Sequence, residues 1–429
     1  MTQRQPEFSV FGQKLTGDIG IYGLMEDLGR AMTTHPDMLM LGGGNPAAVP
    51  AMQQIFRERM EELLADGSSF DRMLGNYDPP QGNPRFQQSM ADMLSRTYGW
   101  DVAAENIAIM AGGQSAFFFL FNLLAGPQSD GSHKKILLPL CPEYIGYCDQ
   151  GLTEDMFVAC RPHITWPKGE ASREFKYTID FEAVETALQQ HNVAAIAVSR
   201  PTNPTGNVIT DDEVRRLAAL VEQHGIYLIL DNAYGVPFPG VVFTDASPFY
   251  GPNTILTLSL SKLGLPGTRT GIVVGDAHVM YALGQMNGIA GLANNNIGQQ
   301  MSLPWIEDGR ILQFGEQILR PYYQERSNEA LGFLRDAFDS RNLNWAVHAS
   351  EGAFFHWLWL PELTIPTRKF YERLKQRNVL VVPGEYFFFG MQSDWPHSQQ
   401  CLRLSFAQPA DKVKQALDII ADEALQNSR

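Results

Sequence analysis

The chain has 429 residues, 44% hydrophobic and 19% charged, proportions that belong to a globular protein long enough for two or three cored units. A formal charge of −14, with no local run of Lys or Arg, excludes nucleic acid and anionic membrane surfaces as main partners. Four cysteines (Cys141, Cys148, Cys160 and Cys401) lack C-x-x-C spacing, so neither a disulfide framework nor a metal site is expected. With no secretory-length apolar leader and no run of about twenty apolar residues, the expected location is the cytoplasm.

In chain order, Leu24, Leu28 and Met32 share one face of an expected helix over 23–32. The apolar run 38–50 ends in Gly42, Gly43, Gly44 and Pro46, where glycine lets backbone approach a ligand or simply makes a tight turn. No third glycine falls at dinucleotide-binding spacing. A helix over 52–65 leads to the proline-broken stretch GNYDPPQGNP, which carries Tyr77. Residues 106–126 read as strand, Gly-Gly turn and apolar helix. That order puts Gly113, Gln114 and Ser115 at a helix N-terminus, open to an anion or merely a turn into a buried helix.

A strand over 135–140 ends in a loop with Tyr144, and residues 149–180, with Pro162, Pro167 and a charged patch, suggest a surface excursion. Regular alternation follows: helix 180–191, strand 193–199, the loop RPTNPTGNVIT, helix 211–224, and strand 226–230 ending in Asp231 and Tyr234. Then come the strand from 254, the loop SLSKLGLPGTR and a strand over 271–275. Beyond it the chain reads mostly helical, with one long helix over 304–341. Strands at 353–360 and 401–406 and helices at 366–377 and 410–425 close it. Short apolar strands alternating with amphipathic helices predict an α/β fold, a mostly parallel central sheet with helices on both faces, plus a smaller α+β domain. The expected division is 1–50 as a segment packing with the small domain, 51–300 as the large domain and 301–429 as the small one.

Ligands of such sheets bind at the carboxyl ends of the strands, and there Asn203, Asp231 and Lys262 follow three of them. A lysine at a buried strand end can lose its proton and attack a carbonyl. Ser259, Ser261 and Arg269 offer hydroxyls and a planar cation suited to a phosphate. Together they suggest an aldehyde with a phosphate handle, pyridoxal phosphate (PLP), held on Lys262. Each residue alone also has a plain reading: a loop lysine, an Asx turn at Asp231, an Asn-Pro turn at Asn203, a core aromatic at Tyr234.

With these residues in order, the sequence resembles the fold-type I PLP-dependent aminotransferases of the aspartate aminotransferase superfamily, from the glycine turn at 42–44 through RLSF at 403–406. The resemblance implies that Asn203 of NPTG and Tyr234 of DNAY reach the cofactor's phenolic oxygen, that Asp231 pairs with its ring nitrogen and that Lys262 of SLSK is the catalytic lysine. It further implies phosphate contacts from Gly113, Gln114, Ser259, Ser261 and Arg269, a ring stacked on Tyr144, and substrate contacts from Gly44, Asn203 and Arg403. Tyr77 would reach the phosphate of a neighbouring subunit, which makes a homodimer with shared sites the expected assembly. No Lys or Arg lies between Arg269 and Arg310 to meet a side-chain carboxylate, so a neutral aliphatic amino acid and a 2-oxo acid are the expected substrates, with valine and pyruvate foremost. Lys14, Arg30 or Arg200 could still supply a cation. Aromatic substrates, a carbon-sulfur β-lyase of the same fold and a PLP-binding sensor module remain alternatives.

Overall fold

A computed structural model describes residues 7–17, 23, 26, 27, 29 and 37–428. The expected helix over 23–32, with Leu24, Leu28 and Met32, falls largely outside them, as does Arg30.

The central sheet runs Ile107–Met110, Gly271–Val274, Thr254–Ser259, Tyr227–Asp231, Val193–Ser199 and His133–Leu138, with Phe157–Ala159 and the short Gly126–Pro127 both pairing with the last of these. Most neighbours are parallel; Gly271–Val274 runs antiparallel to both strands beside it. Every residue of Val193–Ser199 and Thr254–Ser259 is buried, which explains why these strands are continuous apolar runs rather than alternating ones. The crossover helices announce their own ends. Asp180 caps Phe181–Gln190 by accepting from the Ala183 N–H, and Thr210 with Glu213 forms a capping box on Asp211–His224, which Gly225 closes in the left-handed region.

Register sets up the functional rim. Ser199 lies opposite Asp231, and Asp231 opposite Thr257, so two adjacent strands end level and Thr254–Ser259 runs two residues past them.

A second, six-stranded sheet runs Val382–Pro383, Cys401–Ser405, Phe355–Trp359, Ala346–His348, Glu174–Thr178 and His163–Thr165. Its last two strands correct the reading of 149–180 as a surface excursion, since Phe175 and Tyr177 are fully buried. The charged patch there is paired, with Glu174 bonded to Lys168 and Arg335. The single long helix expected over 304–341 is instead Asn296–Glu307, Arg310–Phe314, a π-turn at Gly315–Leu319 and Arg320–Asp339. Gly309 breaks it with a φ of 79°. At Gly315 a side chain would come within 2.5 Å of the Pro239 carbonyl, so that glycine allows a close backbone approach.

Candidate active site

At this rim lies a cavity of about 150 Å3, lined among others by Gly113, Gln114, Tyr144, Asn203, Asp231, Tyr234, Ser259, Ser261, Lys262 and Arg269. Ten residues singled out from the sequence therefore meet in one space.

Lys262 sits in the turn after Thr254–Ser259, where its Nζ donates to the Gly44 carbonyl at 2.7 Å and lies 5.1 Å from the Tyr234 ring centre. Burial chiefly, and then the positive charge of Arg403, pushes its amine down to about 8, against the opposing pull of Asp231. An amine so placed is poised to exchange protons near neutral pH.

Asp231 closes its strand nearly buried. One carboxylate oxygen accepts from the Tyr147 hydroxyl at 2.6 Å, and the other from the Ala233 N–H at 2.9 Å and the Thr257 hydroxyl at 3.2 Å. Burial raises its pKa, and these donors hold it down, Tyr147 first. Lys262 attracts it across the cavity, and beyond the three donors the carboxylate has lone pairs free to accept from a bound group.

Another part of the cavity lining suits an anion. The first N–H groups of Gly113–Leu124 lack intrahelical partners and point the positive end of the helix dipole into it. Beside them Arg269, at a left-handed φ of 47°, donates to the Ala111 carbonyl at 3.2 Å. Gly112 must be glycine here: its φ is 87°, and a Cβ would lie 2.2 Å from the Arg269 guanidinium. Ser259 Oγ accepts from the Ser261 N–H at 3.1 Å. Gln114 donates to the Gly146 carbonyl at 2.8 Å and accepts from the Tyr144 hydroxyl at 3.3 Å, fixing that aromatic wall.

Arg403 does not itself line the cavity but reaches its edge through Asn203. Its Nη1 donates to Asn203 Oδ1 at 2.8 Å and its Nη2 to the Gly42 carbonyl at 2.7 Å, while its buried Nε has no partner among the described residues. Phe355 stacks 4.2 Å from the guanidinium carbon. Tyr77 stands apart: it is 82% exposed and lies outside the cavity of this chain.

The sequence matches the family described as aminotransferase class I and II over residues 42–420. The chain belongs to that family. It is 46% identical to the valine--pyruvate aminotransferase of Escherichia coli K12 over 417 residues, 97% of each chain. It superposes on the valine-pyruvate aminotransferase of Salmonella typhimurium LT2 with a TM-score of 0.84 and 44% identity, covering 94% of this chain and 98% of that one. The aspartate aminotransferase of Thermus thermophilus shares the fold, with a TM-score of 0.77 at 22% identity over 98% of this chain and all of that one.

The protein is thus a PLP-dependent aminotransferase of the α/β fold-type I class, acting on amino acids and 2-oxo acids. The cavity fits that cofactor on its own terms: a buried amine for an aldehyde, a glycine-lined anion cradle for a phosphate, and a buried carboxylate with lone pairs free for a protonated ring nitrogen.

Three residues escaped the sequence reading. Tyr147 and Thr257 hold Asp231, and Glu143 lies fully buried beside Tyr144, accepting from the Tyr144 N–H at 2.8 Å and the Ser199 N–H at 2.9 Å. Thr257 left a signal, a hydroxyl inside the otherwise apolar run ILTL; Tyr147 and Glu143 left none beyond their nearness to Tyr144.

Proposed function

We propose that this aminotransferase moves an amino group between a neutral aliphatic amino acid and a 2-oxo acid, with valine and pyruvate as the principal pair. The observation that carries the reading is the supply of cations. Lys262 and Arg269 line the cavity and Arg403 reaches it through Asn203, which leaves one guanidinium for the phosphate and one for the substrate α-carboxylate. Of the other candidates, the two among the described residues are engaged elsewhere. Arg200 is buried and donates to the Ile209 and Ser247 carbonyls and to Asp211, while Lys14 pairs with Glu154. A second carboxylate would enter without a partner among the described residues, at a cost of several kcal/mol. The 46% identity to a valine--pyruvate aminotransferase agrees with this choice.

In the proposed mechanism Gly113, Gln114, Ser259, Ser261 and Arg269 would hold the cofactor's phosphate, Tyr144 would pack on its ring, and Asn203 and Tyr234 would donate to its phenolic oxygen. Asp231 keeps the ring nitrogen protonated. PLP, when bound, supplies an aldehyde that takes up the substrate amine and a ring that withdraws electrons from the α-carbon. Arg403, with Asn203 and the backbone at Gly44, orients the α-carboxylate, and Lys262 Nζ, already easy to deprotonate, moves the α-proton. The nearly buried surroundings of Asp231 and Arg403 keep water from competing for either charge.

Tyr77, exposed on its loop, is proposed to reach the cofactor phosphate of a second copy, giving a homodimer with shared sites. Four free cysteines suit a reducing cytoplasm, and no described helix is long and apolar enough to cross a membrane.

The test is kcat/KM for valine, alanine, aspartate and phenylalanine. Aliphatic side chains differing by one methylene should separate by only about ten- to two-hundred-fold. Aspartate turning over as well as valine would overturn the reading.

A further inference from the structure

A largely buried ion pair that none of these roles uses joins Lys176 to Glu351. Lys176 belongs to Glu174–Thr178 of the second sheet and is only 9% exposed. Besides Glu351, its Nζ donates to Asn207 Oδ1 and to the Val208 carbonyl, both at 3.0 Å. All three donors of the ammonium are thereby spent. The same Glu351 oxygen accepts from the Val208 N–H at 2.9 Å. The pair therefore grips, at Asn207 and Val208, the loop over 200–210 that carries Asn203.

Glu351 also anchors the segment leading to Arg403's aromatic support. Its carbonyl accepts from the Phe243 N–H at 2.7 Å, and two residues on the Ala353 N–H donates to the Val241 carbonyl at 3.0 Å. Ala353 is held at a φ of 61°, uncommon for a residue with a side chain. The two gripped pieces touch: a Cβ on Gly206, whose φ is 73°, would lie 2.7 Å from the Gly352 carbonyl. Next come Phe354 and Phe355, edge-on to Tyr234 with ring centres 5.0 and 5.9 Å away, and Phe355 packs against Arg403. One end of the clamp thus holds the loop that carries Asn203 and the other the segment that supports Arg403, the two residues joined by a 2.8 Å bond at the cavity edge.

A purely structural pair is the competing explanation. Buried ion pairs can often be replaced by neutral residues with no loss of stability, so stability alone gives no reason for charge here. A directional grip with three donors does. We propose that Lys176 and Glu351 are positioning residues that align Asn203 and Arg403 for the substrate carboxylate before it arrives. The proposal rests on the reading of Arg403 as the carboxylate partner.

The test compares holoenzyme carrying Lys176→Met, Glu351→Gln, both together, or Arg403→Lys, by thermal melting, cofactor affinity, and KM and kcat for valine and for the oxo acid. The double variant removes both charges and keeps an acceptor for the Val208 N–H, so it reports on positioning even where Lys176→Met alone leaves a buried carboxylate and does not fold. Expected are KM values raised about tenfold for both substrates in the double variant, with kcat within about twofold and cofactor affinity unchanged. Glu351→Gln alone should recover most of the loss. Parent-like KM in the double variant, an effect on kcat or cofactor affinity alone, or failure of the double variant to fold overturns the clamp. Raised KM in Arg403→Lys beside parent-like KM in the double variant overturns the clamp only, whereas unchanged KM in Arg403→Lys overturns the carboxylate reading and the clamp with it.

Discussion

Replacing Tyr147 with Phe removes one oxygen from beneath Asp231 and nothing else. The ring is fully buried between Phe117, Phe121 and Tyr144, at centroid separations of 4.6, 5.2 and 5.2 Å, and Phe keeps all of that packing. What disappears is the 2.6 Å donation to one carboxylate oxygen, leaving the Ala233 and Thr257 donors on the other. A hydrogen bond to a charged group contributes about 1.5–3 kcal/mol. If that loss falls on the ionised form of Asp231 during turnover, kcat at neutral pH drops about ten- to hundredfold. The sign on pH follows from the balance of forces on the carboxyl. Burial pushes its pKa up and Tyr147 is the leading influence that pushes it down, so the variant's carboxyl rises further and the acid limb of the kcat profile moves to higher pH. Turnover is measured from acid to neutral pH for the parent and Tyr147→Phe, with Asp231→Ala marking the floor. Superimposable profiles with kcat within about twofold would mean that Asp231 does not depend on Tyr147.

Lys262→Ala should abolish transamination while the protein still folds, and borohydride treatment of the holoenzyme should fix the cofactor to Lys262; a label on any other lysine refutes the assignment. Lys262 also couples pH to the stability of the cofactor-free protein, because its amine is pushed down to about 8 in the fold from an ordinary 10.5. Between those values the folded state holds fewer protons than the unfolded one, so the penalty of burying the cation is full below about 8 and fades as pH rises through 10.5. Cofactor-free Lys262→Met should therefore resist urea better than the parent at neutral pH, by on the order of 3 kcal/mol, with the gap closing in alkali. A gap that does not change with pH would show that the amine is not buried as a cation.

Where the sequence was legible, the signal was local. Val193–Ser199 and Asp211–His224 have the ends read from composition, because a run of buried apolar residues, a capping Thr-x-x-Glu and a closing glycine are all short-range features. Lys262 stood out for a similar reason, a cluster of polar residues between two apolar strands. The misread stretch was a local hairpin that only a remote strand draws into a sheet. Glu174–Thr178 pairs with His163–Thr165 on one side and with Ala346–His348, more than 160 residues on, on the other, and no periodicity within 149–180 could announce that second partner. The break in the expected helix over 304–341 was written in Gly309 and Gly315, but the need for the second comes from the Pro239 carbonyl, distant in sequence. Tyr147 was invisible for the same reason, since its hydroxyl acquires meaning only from Asp231, 84 residues away.

The site works because charges that would be costly singly are distributed over segments that only the fold makes neighbours. Asp231 and Lys262 come from strand ends, Arg269 from the loop that follows Lys262, and Arg403 from the second sheet. Each lies at or beside the cavity with part of its hydrogen bonding supplied by protein and part open, as with the unpartnered Nε of Arg403. A phosphate, a protonated ring nitrogen and an α-carboxylate would complete that set. A buried charge with one partner removed is far more costly than one never introduced, so a site that already matches each of its charges has nothing left for a carboxylate on the substrate side chain. The proposed preference for neutral amino acids then rests on a further cation that the described residues do not bring to the cavity, rather than on any single residue shaped around valine.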